Sequence, residues 1–311
     1  MRRSPVPSSR IAHPADPRVW AALWTIYLFW GSTYLAMRVM VRTVPPVLGG
    51  STRFLVAGLV VLAWVAFREG RGGLRLDRRQ FLLLVATGTL VPGLGNCFNT
   101  LAVRHATSVT VALLNAAVPL WVILLRRFSR ERVPGVTLLA VPLGFSGVAV
   151  LLLPGSHVGA SGLGITFALA AGLIWGIGSF ASSRLIGGIP ASLVIGVQMV
   201  VAGLLQLGIG AGLGEIPDFH PGRFSGESIA ALVFLTTIGG FASYTAYAWL
   251  LQHAPVSQIA TYAFVNPIVA IVLGRLILGE RLGWTGLVGA VVIVGSVGVT
   301  VRAEGRAGRS P

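Results

Sequence analysis

The chain has 311 residues, 54% of them hydrophobic and only 11% charged, with a formal net charge of +15. A soluble domain carries about 25% charged residues, so this chain cannot coat a water-facing surface, and a lipid bilayer is the solvent that suits it. Its one cysteine, Cys97, excludes an internal disulfide framework and two-cysteine redox chemistry.

Residues 1–18, "MRRSPVPSSRIAHPADPR", are polar and proline-rich, and are expected to form a disordered cytoplasmic tail rather than a cleaved signal. Ten apolar runs follow, at 19–38, 45–67, 80–103, 106–126, 133–153, 161–183, 189–212, 228–251, 255–277 and 282–301. A membrane crossing needs about 20 residues, so each run is read as a transmembrane helix. The connections are short turns such as "PGSH" at 154–157, and 302–311 is a second short tail. The predicted fold is therefore an all-α integral membrane protein of ten helices.

All 24 basic residues are arginine, and most lie between the apolar runs. With the N-terminus in the cytoplasm, 17 of them fall on the cytoplasmic side, among them Arg68, Arg71, Arg75, Arg78 and Arg79 of one loop. That is the positive-inside bias of a multi-pass membrane protein with both termini cytoplasmic. It is not the footprint of a phosphate-binding groove, so no nucleic-acid partner is expected.

The two halves repeat. "WGSTYLA" at 30–36 matches "WGIGSFA" at 175–181, and "RFLVAGL" at 53–59 matches "QMVVAGL" at 198–204, both at an offset of 145. "RHATSVTVALLNAAVP" at 104–119 matches "QHAPVSQIATYAFVNP" at 252–267 at 148, and "ER" at 131–132 recurs at 280–281. Four matches in one order indicate a duplicated five-helix unit, 19–153 and 161–301. Five is odd, so the second copy enters the membrane inverted, as in many secondary transporters.

Several residues are candidates for a substrate site. Arg53 lies about 12 Å along the second helix, where a charge costs about 2.5–3.5 kcal/mol on insertion scales. It either snorkels or faces a central cavity and offers its guanidinium to a carboxylate. Its repeat partner is the neutral Gln198. Asn96 and Asn99 share a helix face, and their repeat partners Tyr244 and Tyr247 do the same. Asn115, Gln258, Tyr262 and Asn266 extend this polar set, either as cavity lining or as ordinary helix–helix hydrogen bonds. Trp30 and Trp175, each followed by a glycine, are expected at a cavity wall or gate, whereas Trp20, Trp249 and Trp284 fit an interfacial belt. Arg38, near the outer end of the first helix, is expected to snorkel. His105 and His253 are repeat partners in tight turns, with a capping role favoured over proton sensing. All nine acids map to tails, loops or helix ends, so a buried carboxylate relay is not expected.

The order of these motifs resembles the EamA family of the drug/metabolite transporter superfamily, over about residues 20–301. The carrying segments are "LFWGSTYLAMR", "PPVLGGSTRFLVAGL" and "HAPVSQIATYAFVNPIVAIVLGRLILGERL". The resemblance implies an inner-membrane carrier, closest to exporters of amino acids or other metabolites, acting on a small-molecule substrate within the lipid bilayer. It leaves the substrate, the direction and the oligomeric state open, a homodimer included. The chain departs from the family where Arg130 replaces the usual glycine before the first "ER". One rival class is an intramembrane protease, suggested by "GFSG" at 144–147. A serine nucleophile needs a base within reach, and His13, His105, His157, His220 and His253 all map to tails or turns. No His, Cys or carboxylate cluster has metal-ligand spacing and no phosphate-binding glycine loop is present, so no metal, cofactor or enzymatic activity is expected.

Overall fold

A computed structural model describes residues 16–131, 133–153, 159–185, 188–254, 256–259 and 261–307. The tail through Ala15 (with His13), the turn at 154–157 (with His157) and residues 308–311 lie outside the described residues. Every regular element among the described residues is helical. In chain order they are α1 (Pro17–Met40), α2 (Pro46–Glu69), α3 (Arg78–Gly88), α4 (Asn96–His105), α5 (Ser108–Asn115), α6 (Val118–Phe128), α7 (Gly135–Leu151), α8 (Gly162–Leu185), α9 (Ala191–Gly212), α10 (Gly226–Thr236), α11 (Ser243–His253), α12 (Val256–Ile259), α13 (Tyr262–Leu278) and α14 (Trp284–Ala307). A helix begins earlier than the polar tail implied, because Asp16 accepts from the Arg18 N–H at 2.8 Å and Pro17 occupies the first turn.

Among the described residues, seven helical rods are long and apolar enough to cross a membrane: 46–69, 78–105, 108–128, 162–185, 191–212, 226–247 and 284–303. The apolar helices α7 and α13 are 17 residues each, and α1 is 24 residues rich in Trp, Tyr, Ser and Thr. The chain is thus a multi-pass helical membrane protein.

Two rods carry a π-helical segment at mid-length, Thr89–Gly95 between α3 and α4 and Thr237–Ala242 between α10 and α11. The wider turn frees backbone carbonyls that hydrocarbon cannot solvate. Gln206, fully buried on α9, donates to the Pro92 and Gly93 carbonyls at 3.0 and 3.1 Å. In the second segment Ser243 Oγ donates to the Ile238 carbonyl at 2.7 Å. Pro92 explains the first distortion, since it lacks an N–H. "GG" at 239–240 accompanies the second.

Helices α2 and α9 pack backbone to backbone. A Cβ built on Gly58 would lie 2.8 Å from Val200 N, and one built on Gly203 would lie 2.8 Å from Leu55 N. Small residues permit this approach, and between apolar helices in lipid the close packing itself supplies the attraction. Gly31 similarly brings α1 onto α13, where a Cβ would sit 2.7 Å from Val269 Cβ. Of the two spaced glycine pairs, Gly172/Gly176 faces α6, with Gly176 against Trp121, whereas Gly208 and Gly212 face open space.

The departure at Arg130 leaves the backbone unchanged. Arg130 has φ 59° and is the sole non-glycine residue with positive φ among the described residues. Its repeat counterpart, Gly279, has φ 65°. The first-half turn therefore keeps its left-handed geometry at a cost of about 1–2 kcal/mol.

Candidate functional site

A cavity of about 110 Å³ lies among α1, α2, α4, α5, α6, α8, α11 and α13, room for several waters or a small solute. Trp30, Arg53, Asn96, Asn99, Asn115, Trp175, Tyr244, Tyr262 and Asn266 line it, nine of the twelve residues singled out in the sequence. They come from seven helices, α1, α2, α4, α5, α8, α11 and α13.

Arg53 is 4% exposed, which rules out snorkelling. Its guanidinium lies 4.7 Å from the Phe54 ring centroid. Nη1 donates to Asn96 Oδ1 at 3.4 Å, longer than the usual 2.7–3.2 Å of an N–H···O bond. Nε has no partner. Among the described residues no carboxylate lines the cavity, and Arg53 is the one formal charge they place in its wall. A buried charge without a counter-charge is destabilising by several kcal/mol, so the site favours water or an anion beside it.

Asn99 and Asn115 bond each other reciprocally: Asn115 Nδ2 donates to Asn99 Oδ1 at 2.7 Å, and Asn99 Nδ2 to Asn115 Oδ1 at 3.4 Å. Asn115 Nδ2 also donates to the Val111 carbonyl at 2.9 Å. This pair is a satisfied brace between α4 and α5. Asn266, 9% exposed, has no partner for Oδ1. Trp30 is held edge-on by Tyr244 at 5.3 Å and Tyr262 at 5.2 Å, with Tyr247 at 5.2 Å behind it. The wall thus offers a cationic donor, amide groups and aromatic faces, the inventory needed to hold a small polar solute.

Three expected residues are not in the wall. Gln198 donates to Thr87 Oγ1 at 2.9 Å across the α3–α9 contact. The repeat places it opposite Arg53 in sequence, but its face of α9 meets α3 instead. Tyr247 packs behind Trp30. Gln258, on the one-turn helix α12, accepts at its carbonyl from Thr261 Oγ1 at 2.5 Å. The structure adds Thr33, Tyr34 and Met37. These follow Trp30 by three, four and seven residues on α1, so helical spacing from Trp30 was the signal that would have found them.

Arg38 differs from expectation, whereas the two histidines end helices as expected. Arg38 does not snorkel: Nη1 donates to the Val103 carbonyl and, at 3.1 Å, to that of Arg104, closing the C-terminus of α4. His253 ends α11, with Nδ1 2.8 Å from the Trp249 carbonyl and its ring stacked on Trp249 at 4.2 Å. His105 ends α4, and its carbonyl accepts from Ser161 N–H at 2.9 Å. Both therefore act as helix-end residues. Ser146 of the "GFSG" stretch is exposed on α7 and donates to the Leu143 carbonyl at 2.7 Å.

A polytopic helical membrane protein with a polar, singly charged chamber at its centre has the layout of a solute carrier. The chain belongs to the EamA-like transporter family, whose profile matches residues 19–153 and 162–302. It is similar to the uncharacterized inner membrane transporter YedA of Escherichia coli K12, 29% identical over 285 residues, covering 89% of this chain and 90% of that one. It also resembles the uncharacterized transporter YvbV of Bacillus subtilis, 26% identical, covering 90% and 91%. The WAT1-related chloroplastic protein At3g02690 of Arabidopsis thaliana is 24% identical, covering 88% of this chain and 67% of the plant protein. A crystal structure at 22% identity superposes with a TM-score of 0.64 over 95% of this chain and all of the other. The protein is a membrane transporter of this family.

Proposed function

We propose that this transporter is a secondary carrier that exports small polar metabolites, such as amino acids, across a bacterial inner membrane. Ten transmembrane helices form two inverted units, 19–153 and 161–301, with both termini cytoplasmic, and the units rock about the central cavity. The observation that carries the reading is one chamber holding an unpartnered Arg53 Nε–H and an unpartnered Asn266 Oδ1. Such groups are costly to bury unless something binds them. A solute with a carboxylate and a donor satisfies both.

Three observations support the inverted units. The family profile matches two stretches of nearly equal length. The Gly58–Val200 and Gly203–Leu55 contacts exchange into each other when 145 is added to the first-half residue of each. That reciprocity is what a two-fold axis between the units requires. The two π segments begin at Thr89 and Thr237, 148 apart, the offset of the histidine turns.

Substrate counterflow in proteoliposomes tests the reading. Liposomes preloaded with one of a panel of amino acids or small carboxylates should accumulate the labelled form of the accepted solute. Absence of counterflow across the panel, with efflux from intact cells unaffected by the protein, would overturn it.

A further inference from the structure

Two of the acids that the sequence left in turns carry out one task. Glu215, just after α9, accepts at Oε2 from the N–H of Leu48 at 2.8 Å and of Val47 at 3.0 Å. Glu280, just after α13, accepts at Oε1 from Ser108 N–H at 2.9 Å. Its Oε2 accepts from Val109 N–H at 3.0 Å and from Ser108 Oγ at 2.9 Å. Each carboxylate thus caps the first turn of a helix in the other half of the chain, where free N–H groups and the helix dipole favour an anion. In each, the backbone N–H of the glutamate closes onto a glycine carbonyl of its own helix, Gly210 at 2.9 Å and Gly274 at 3.0 Å.

The repeat counterpart of Glu280 behaves differently. Glu131 follows the same left-handed turn, and its N–H closes onto the Arg126 carbonyl at 3.0 Å. Its carboxylate is held instead by Arg126 Nε at 2.7 Å and by Arg184. In the topology proposed above, Glu215 and Glu280 lie at the outer face and Glu131 at the cytoplasmic face.

We infer that Glu280 is a gating latch, whose carboxylate holds the outer end of α5 against α13 and must release for the cavity to open outward. The inference rests on the transporter reading. Two features separate Glu280 from Glu215. The helices it ties, α5 and α13, carry Asn115 and Asn266 in the cavity wall. Ala112, also in the wall, lies one turn inward of Val109. The helices joined by Glu215, α2 and α9, are already locked by the Gly58 and Gly203 approaches, so that carboxylate is a fixed brace. Gly274 leaves the space the latch occupies: a Cβ there would sit 2.8 Å from Glu280 Oε2 and 2.6 Å from Val109 Cγ2.

The test is a sidedness assay on the full chain in proteoliposomes and cells. Cys97→Ser removes the native thiol, and Ala112→Cys places a reporter in the wall. A membrane-impermeant maleimide is applied from outside. Glu280→Gln, which weakens the cap but keeps its shape, should raise the labelling rate about tenfold or more, the equivalent of one charge-assisted hydrogen bond. Gly274→Ala, which crowds the carboxylate without removing it, should shift labelling the same way. Glu280→Asp should fall between wild type and Glu280→Gln, and Glu215→Gln should lower thermal stability without changing labelling. Unchanged outside labelling in folded Glu280→Gln and Gly274→Ala would make Glu280 a static cap and overturn the latch. An equal rise in Glu215→Gln would overturn its assignment to Glu280. Labelling needs no substrate, so it is read independently of wild-type counterflow, whose absence would count against the transporter reading alone.

Discussion

Replacing Arg53 with Gln removes the single formal charge that the described residues place in the cavity wall and copies the residue of the other half, Gln198. The structure sets the expected balance. Within the protein Arg53 makes one side-chain hydrogen bond, to Asn96 at 3.4 Å, so little native bonding is lost. Removing an uncompensated charge from the span also relieves an insertion cost of about 2.5–3.5 kcal/mol. The folded yield should therefore be equal or higher. Binding should suffer, because a carboxylate solute loses a charge-assisted bond worth about 1.5–3 kcal/mol, a weakening of about 10- to 150-fold. Arg53→Lys should recover part of this, since an ammonium lacks the planar fork. The assay is counterflow of the accepted solute into proteoliposomes holding equal amounts of folded protein, with half-saturation measured for each variant. Full affinity in Arg53→Gln would refute the assignment and leave the site to the asparagines and aromatic rings.

Gln198→Ala should leave transport affinity intact and cost about 1 kcal/mol of stability, measured by thermal unfolding, because its bond is to Thr87 outside the cavity. Arg130→Gly should raise stability by about 1 kcal/mol in the same assay, since glycine tolerates the observed φ of 59°. His105→Asn and His253→Asn should each keep transport and its pH profile, because both end helices away from the cavity wall; a shifted profile in either would show a protonation role. Reporter fusions at residues 73 and 307 should read cytoplasmic and one at 218 periplasmic; a shared side for 73 and 218 would rule out the inverted units.

Composition and periodicity alone determined the class of this protein. Too few charges for water, long apolar runs and an arginine count biased to alternate loops leave a multi-pass helical membrane protein. The duplicated motifs marked which residues have partners. Nine of the twelve chosen residues line one cavity because polar side chains deep in apolar helices have few other places to go. Sequence could not say which way each helix is turned. Gln198 faces α3 and Gln258 sits on a one-turn helix, because rotation and helix breaks follow from packing between distant segments. Nor could it assign the charges at helix ends. Arg38 closes α4, and Glu215 and Glu280 cap α2 and α5, across separations of 65 to 172 residues. These bonds exist only once helices distant in sequence are packed, because a free N–H or carbonyl at a helix end pairs with whichever partner the tertiary fold brings within about 3 Å.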